Sequence, residues 1–140
     1  MTNIPSWTVF SFTPDRETVN VRLRTNLNIT VGDPRFTDHL QFAIPIPTDP
    51  PTAEEVAELN RMEEALCAGL DDDGMCLLVV VETGRRWREL SFYTSRIDVA
   101  KAKAGALLQT LGRPDVLFTT VPDPLWSLYR RYASIQKHST

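Results

Sequence analysis

The chain has 140 residues, of which 42% are hydrophobic and 24% charged, and it carries a net charge of −3. A chain of this size buries about two thirds of the surface it exposes when unfolded, so it needs no metal or disulfide staple, and its composition excludes global disorder. The start, MTNIPSWTVF, lacks a basic flank before an apolar run, and no stretch reaches the roughly 18 apolar residues of a membrane span, which sets the expectation of a soluble, cytoplasmic protein.

SWTVFSF and ETVNVRLRTNL are extended runs separated by the turn-forming TPDR, which predicts a hairpin. In the second run Val19, Val21, Leu23 and Leu27 alternate with Asn20, Arg22, Arg24 and Asn26, giving one dry and one wet face. After the GDP turn, Leu40, Phe42, Ile44 and Ile46 mark a third strand, which PIPTDPP ends because proline offers no amide hydrogen. Thr52 with Glu55 reads as a capping box opening a helix whose inner face is Val56, Leu59, Met62, Leu66 and Leu70. DDDG closes it. MCLLVVVET then predicts a strand apolar on both sides, at the centre of a sheet, and TGRR turns it into a partner strand over residues 86–94. Ser95 and Asp98 predict a second capping box, followed by a helix with Ala100, Ala104, Leu107, Leu108 and Leu111 inward and Gly112 as its C-terminal cap. DVLFTTV is a last strand. Asp123 as cap and Pro124 at the first helical position then open a short closing helix.

From residue 36 the order strand, helix, strand, strand, helix, strand predicts an α+β fold, a ferredoxin-like split βαβ sheet with an N-terminal β-hairpin added and a short C-terminal helix. Residues 1–134 form one domain, and residues 135–140 read as a fraying tail.

RELSFYTS, then a helix, then VLFTTVPDPLWSLYRRY resembles a bacterial domain of unknown function, family 695, through Arg88, Glu89, Phe92, Tyr93, Thr94, Asp123, Trp126 and Tyr129, with Trp7 also fitting. The resemblance covers residues 7–132 and implies no activity. In fold and size alone the arrangement is also similar to a regulator that inhibits a bacterial ribonuclease by binding it. The shared aromatics are expected to pack the closing helix on the sheet, with the tyrosine hydroxyls finding polar partners.

Charge is distributed unevenly. Residues 54–73 hold Glu54, Glu55, Glu58, Glu63, Glu64, Asp71, Asp72 and Asp73 against Arg61, a local balance of −7 that leaves +4 for the rest. GLDDDGMC has phosphate-loop spacing without its lysine or hydroxyl, and fails as a calcium loop because Val80 stands where a bidentate glutamate is needed. Cys67 and Cys76 lack the spacing of a redox or zinc pair and read as buried thiols. The two histidines, His39 and His138, stand beside no evident nucleophile, so no catalytic residue, metal or cofactor is assigned.

The leading expectation is a non-enzymatic protein-binding module, most concretely an inhibitor or immunity protein that occludes a basic toxin or nuclease through Glu54, Glu55, Glu58, Asp71, Asp72 and Asp73. One alternative is an RNA-metabolism regulator or RNA-binding domain using the hairpin residues Arg85, Arg86, Trp87 and Arg88, although strand alternation separates the tryptophan from Arg86 and Arg88 and disfavours a stacking surface. Another is a small-molecule-binding or catalytic domain of unknown reaction. A homodimer joining the negative helix to the positive hairpin is compatible with this polarity.

Overall fold

The TPDR turn joins β1 (Trp7–Phe12) to β2 (Val19–Arg24) as an antiparallel hairpin in the computed structural model, which describes residues 6–27, 30–71 and 74–138. Its register sets Phe10 against Val21 and Phe12 against Val19, so these apolar side chains share one face. β3 (Asp38–Pro45), β4 (Cys76–Thr83), β5 (Trp87–Thr94) and β6 (Leu117–Pro122) complete a six-stranded antiparallel sheet in the order β1-β2-β4-β5-β3-β6. β4 and β5 are the central pair. That position accounts for the two-sided apolar character of β4, since side chains pointing either way meet protein rather than water.

Two helices cover one face. α1 (Ala53–Leu70) opens with the reciprocal capping box: Thr52 Oγ1 accepts the Glu55 N–H at 3.1 Å, and the Glu55 carboxylate accepts the Thr52 N–H at 2.8 Å. Leu59, Met62, Leu66 and Leu70 are buried, whereas Val56 stands at the rim and is 39% exposed. α2 (Ile97–Leu111) buries Ala100, Ala104 and Leu108, with Leu107 and Leu111 half-buried beside them. Gly112 ends it at φ 66°, a left-handed backbone that a side chain disfavours. The capping box expected at its start is absent. Arg96 is the N-cap, and Ser95 is drawn instead into the end of the sheet, where its N–H (3.1 Å) and Oγ (3.4 Å) both reach the Met75 carbonyl.

α3 (Ser127–His138) lies on the opposite face and starts three residues after Pro124, the predicted first position. Pro124, Leu125 and Trp126 are spent on a turn closed by the Trp126 N–H to the Asp123 carbonyl at 3.0 Å, with Trp126 at φ 58°. Asp123 still caps the helix, because its Oδ1 accepts the Ser127 N–H at 2.8 Å and its Oδ2 the Leu128 N–H at 3.2 Å. The helix runs into the expected tail as far as His138.

The sheet therefore separates two cores. Leu40, Phe42, Ile44, Leu78, Leu90 and Phe92 meet α1 and α2; Val19, Val21, Leu23, Val79, Val80 and Tyr93 meet Trp126, Tyr129 and Tyr132. An irregularity in β4 between Leu78 and Val80 sends Val79 and Val80 to the same core, which resets the alternation for the rest of the strand. No helix among the described residues is long and apolar enough to cross a membrane.

Candidate functional site

The acidic stretch splits into carboxylates already committed and carboxylates on show. Glu63 meets Arg22 at 2.5 Å and Arg88 at 3.5 Å, both from the sheet beneath α1. Glu58 is held by Arg61 at 2.7 Å and by Arg113 at 3.0 Å, and Glu55 is spent on the cap and on the Thr48 hydroxyl. A count along the sequence missed this because Arg22, Arg88 and Arg113 come from distant elements. Glu54 is exposed in the first turn, Asp71 occupies the C-cap with its N–H on the Cys67 carbonyl, and Asp72 and Asp73 lie outside the described residues.

Glu54, Glu55 and Glu58 nevertheless converge. Together with Asp115 and Arg113 they rim a groove of about 300 Å³ whose floor is Pro45, Ile46, Pro47 and Leu59, between the end of β3, the first turns of α1 and the loop before β6. Hydrogen bonds from Thr48 and Thr52 hold the Glu55 carboxyl below its ordinary range, and those from Arg61 and Arg113 do the same for Glu58. Arg113 lowers Asp115 likewise through a bidentate pair at 2.9 and 2.8 Å. The groove thus presents four carboxylates and one guanidinium over an apolar floor.

The arginine hairpin is a different case. Arg85 pairs with Asp49 at 2.6 Å and reaches Glu17 at 4.0 Å. Arg88 turns under α1, donating to Thr83 Oγ1 and Asn60 Oδ1 at 3.1 Å each and facing Glu63. Trp87 is half-buried against Gly84, where an added Cβ would stand 2.5 Å from the indole. Arg86 keeps an exposed side chain with one bond to the Pro47 carbonyl at 3.0 Å. All four residues are thereby fastened to protein, Arg86 by a single bond.

On the α3 side of the sheet stands a polar cluster that the sequence reading left unassigned. Glu82 and Glu89 are directly opposite each other on the central strands. Burial, and then the negative Glu89 beside it, push the Glu82 carboxyl up to about 7, and burial raises Glu89 as well. Gln41 Nε2 donates to Glu89 at 2.8 Å, and Arg131 of α3 partly offsets the rise at Glu82. The signal was present, since a tight TGRR turn pairs Thr83 with Arg88 and hence Glu82 with Glu89.

Beside that cluster the aromatics fasten α3. Tyr93 and Trp126 stack with centroids 4.1 Å apart and planes within 1°, and Tyr129 meets Trp126 edge-on at 5.8 Å. Trp126 Nε1 donates to the Phe36 carbonyl at 2.8 Å, Tyr129 Oη to the Arg24 carbonyl at 2.7 Å, and Tyr93 Oη to Asp123 at 2.6 Å. Burial pushes the Asp123 carboxyl up, but the bonds from Tyr93, Ser127 and Leu128 outweigh it and leave the group below its ordinary range. His39 is 8% exposed against the Tyr93 ring at 5.7 Å, its Nε2 without a hydrogen-bond partner among the described residues, and burial lowers its pKa. The shared aromatics are thus a latch for the closing helix, and their hydroxyls do find polar partners. Burial pushes the Cys67 thiol up to about 12, leaving it unreactive. No group of three or more His, Cys, Asp or Glu side chains gathers to hold a metal among the described residues.

The chain belongs to the family of unknown function DUF695, which it matches over residues 5–133. No curated protein and no solved structure matches it.

Proposed function

We propose that this DUF695 chain is a non-enzymatic protein-binding module, in its most concrete form an inhibitor or immunity protein that occludes a basic toxin or nuclease. The observation that carries the reading is the groove at the start of α1, where Glu54, Glu55, Glu58 and Asp115 surround Pro45, Ile46, Pro47 and Leu59. Its chemistry fits a lysine or arginine side chain, whose methylenes would lie on the apolar floor while the charged head meets the rim. Rim charges speed encounter with a basic partner, and the desolvated stem slows departure.

A bacterial, cytoplasmic setting suits such a module. The strand order β4-β5-β3-β6, with α1 and α2 as crossovers on one face, supports assigning the ferredoxin-like split βαβ arrangement to this part of the chain. The RNA alternative rests on the exposed Arg85 and Arg86, each bonded to a neighbouring loop residue, since Trp87 and Arg88 are half-buried in protein contacts. The catalytic or small-molecule alternative draws on a different observation, the buried Glu82 and Glu89 pair, because two neighbouring carboxyls pushed upward are suited to proton transfer.

Affinity capture from the native host, analysed by mass spectrometry, tests the leading reading. A basic protein should be retained by the wild type and lost with Glu54→Lys, a change on an exposed residue that leaves the fold intact. Retention of RNA in a salt-dependent manner, with no protein, would overturn it.

A further inference from the structure

We propose that β6 is a homodimerisation edge, pairing antiparallel with β6 of a second copy of this chain. β6 is the last strand in the sheet order, with β3 on one side and no strand among the described residues on the other. Residues 116–122, VLFTTVP, carry no charge, whereas edges that must stay single are blunted with lysines, bulges or cover. The strand also displays apolar side chains: Leu117 is 67% exposed and Val121 53%, on the same face four residues apart, with Leu125 at 69% just beyond. The opposite edge, β1, shows Val9 alone in this way.

The register follows from one hydrogen bond and one proline. The Asp123 N–H donates inward to the Thr37 carbonyl at 2.8 Å, so alternation turns the backbone groups of residues 117, 119 and 121 towards β3 and those of 118, 120 and 122 outward. Pro122 has no N–H to offer, which costs the β3 ladder nothing and leaves Phe118 and Thr120 as the residues with both groups pointing outward. A two-fold axis through Thr119 sets Phe118 opposite Thr120 of the second copy and the reverse, giving four backbone hydrogen bonds. The same register places Leu117 against Val121 of the second copy, twice over, and covers the exposed apolar pair with itself. A slip of one residue turns inward-facing backbone to the partner, and a slip of two sets Phe118 against Pro122 or leaves Val121 unmatched.

Asp115 would face Asp123 of the second copy at each end. Arg113 already pairs with the first, and Tyr93 with the α3 amides hydrogen-bonds the second, so both carboxylates have their partners before the copies meet. The assembly joins two six-stranded sheets into one, with α3 and its mate on the same side.

Sedimentation of the full chain across micromolar to submillimolar concentrations should show a reversible dimer. Leu117→Lys with Val121→Lys should raise the dissociation constant at least about tenfold, because four lysines then face each other as two like-charged pairs, while Val9→Lys on β1 leaves it unchanged. Oxidation of Thr119→Cys should yield a disulfide-linked dimer, since only residue 119 faces its own copy, and Leu117→Cys should not. A wild type that stays monomeric throughout, or a dimer that survives the lysine pair with circular dichroism unchanged, would overturn the proposal. Loss of the dimer with Val9→Lys would place the interface on β1 and overturn it equally.

Discussion

The two faces of the sheet are held by different physics. Against α1 and α2 the contacts are mainly aliphatic, with Phe42 edge-on to Phe92 and tilted against Phe118 as the ring pairs, each buried side chain such as Leu66 contributing about 1.5–3 kcal/mol through area removed from water. Against α3 the contacts are ring stacks and aimed hydrogen bonds, set beside a histidine and two carboxyls that burial has displaced from their ordinary pKa values. The first face tolerates rearrangement so long as volume is kept; the second depends on geometry and protonation. One side of this molecule is therefore sensitive chiefly to packing volume and the other to geometry and protonation.

The widest separation should come from Trp126→Ala. Losing the stack on Tyr93 and the bond to Phe36 should cost about 3–5 kcal/mol, and amide exchange should rise in α3 far more than in α1 or α2. Leu66→Ala, of similar size at about 2–5 kcal/mol, should instead deprotect all three helices together. Equal exchange patterns for the two variants would erase the distinction between the faces.

Tyr93→Phe keeps the ring and removes its bond to the Asp123 carboxylate, so urea denaturation should show a loss of about 1.5–3 kcal/mol, as for other hydrogen bonds to charged groups. A smaller loss would mean that the helix amides alone suffice to hold Asp123.

Protonation should sharpen the contrast at lower amplitude. His39 is lowered in the folded chain, so its contribution is present above its unfolded value of 6.5 and is lost as pH falls below it towards the folded pKa. His39→Phe should flatten that acid limb in urea titrations. Glu82 is raised, so its contribution is full below 4.5 and is lost as pH rises through about 7. Glu82→Gln should therefore gain on the wild type between these values and hold that gain above them, by on the order of 1 kcal/mol. Both slopes belong to the α3 face, and variants of the α1 and α2 face should leave them unchanged.

Periodicity made most of this fold legible. The hairpins, the α1 capping box, the inner faces of both long helices and the left-handed Gly112 all follow from residues a few positions apart. What escaped were effects carried by distant neighbours. Ser95 and Asp98 look like a capping box until Met75 claims Ser95, and the start of α3 slid because the stack on Tyr93 holds Trp126 in a backbone conformation that no local rule favours. The acidic stretch misled in the same way, since Arg22, Arg88 and Arg113 neutralise it from elsewhere in the chain. Glu55 and Glu58 were named from sequence, but Asp115 and the apolar floor beside them required the fold.

The extra residue in β4 has a consequence out of proportion to its size. It works as a parity switch: with Val79 and Val80 both turned to the α3 side, Val81 points to the aliphatic core and Glu82 to the α3 side, whereas the same residues in unbroken alternation would invert every side chain from Val80 to Thr83. A carboxylate would then be driven among leucines and a valine out to the polar cluster. A deletion of Val79 itself should spare both halves of the protein, because Leu78 followed directly by Val80 restores plain alternation with Val81 and Glu82 still on their own faces, an outcome that substitution scans, which leave spacing untouched, would never reveal.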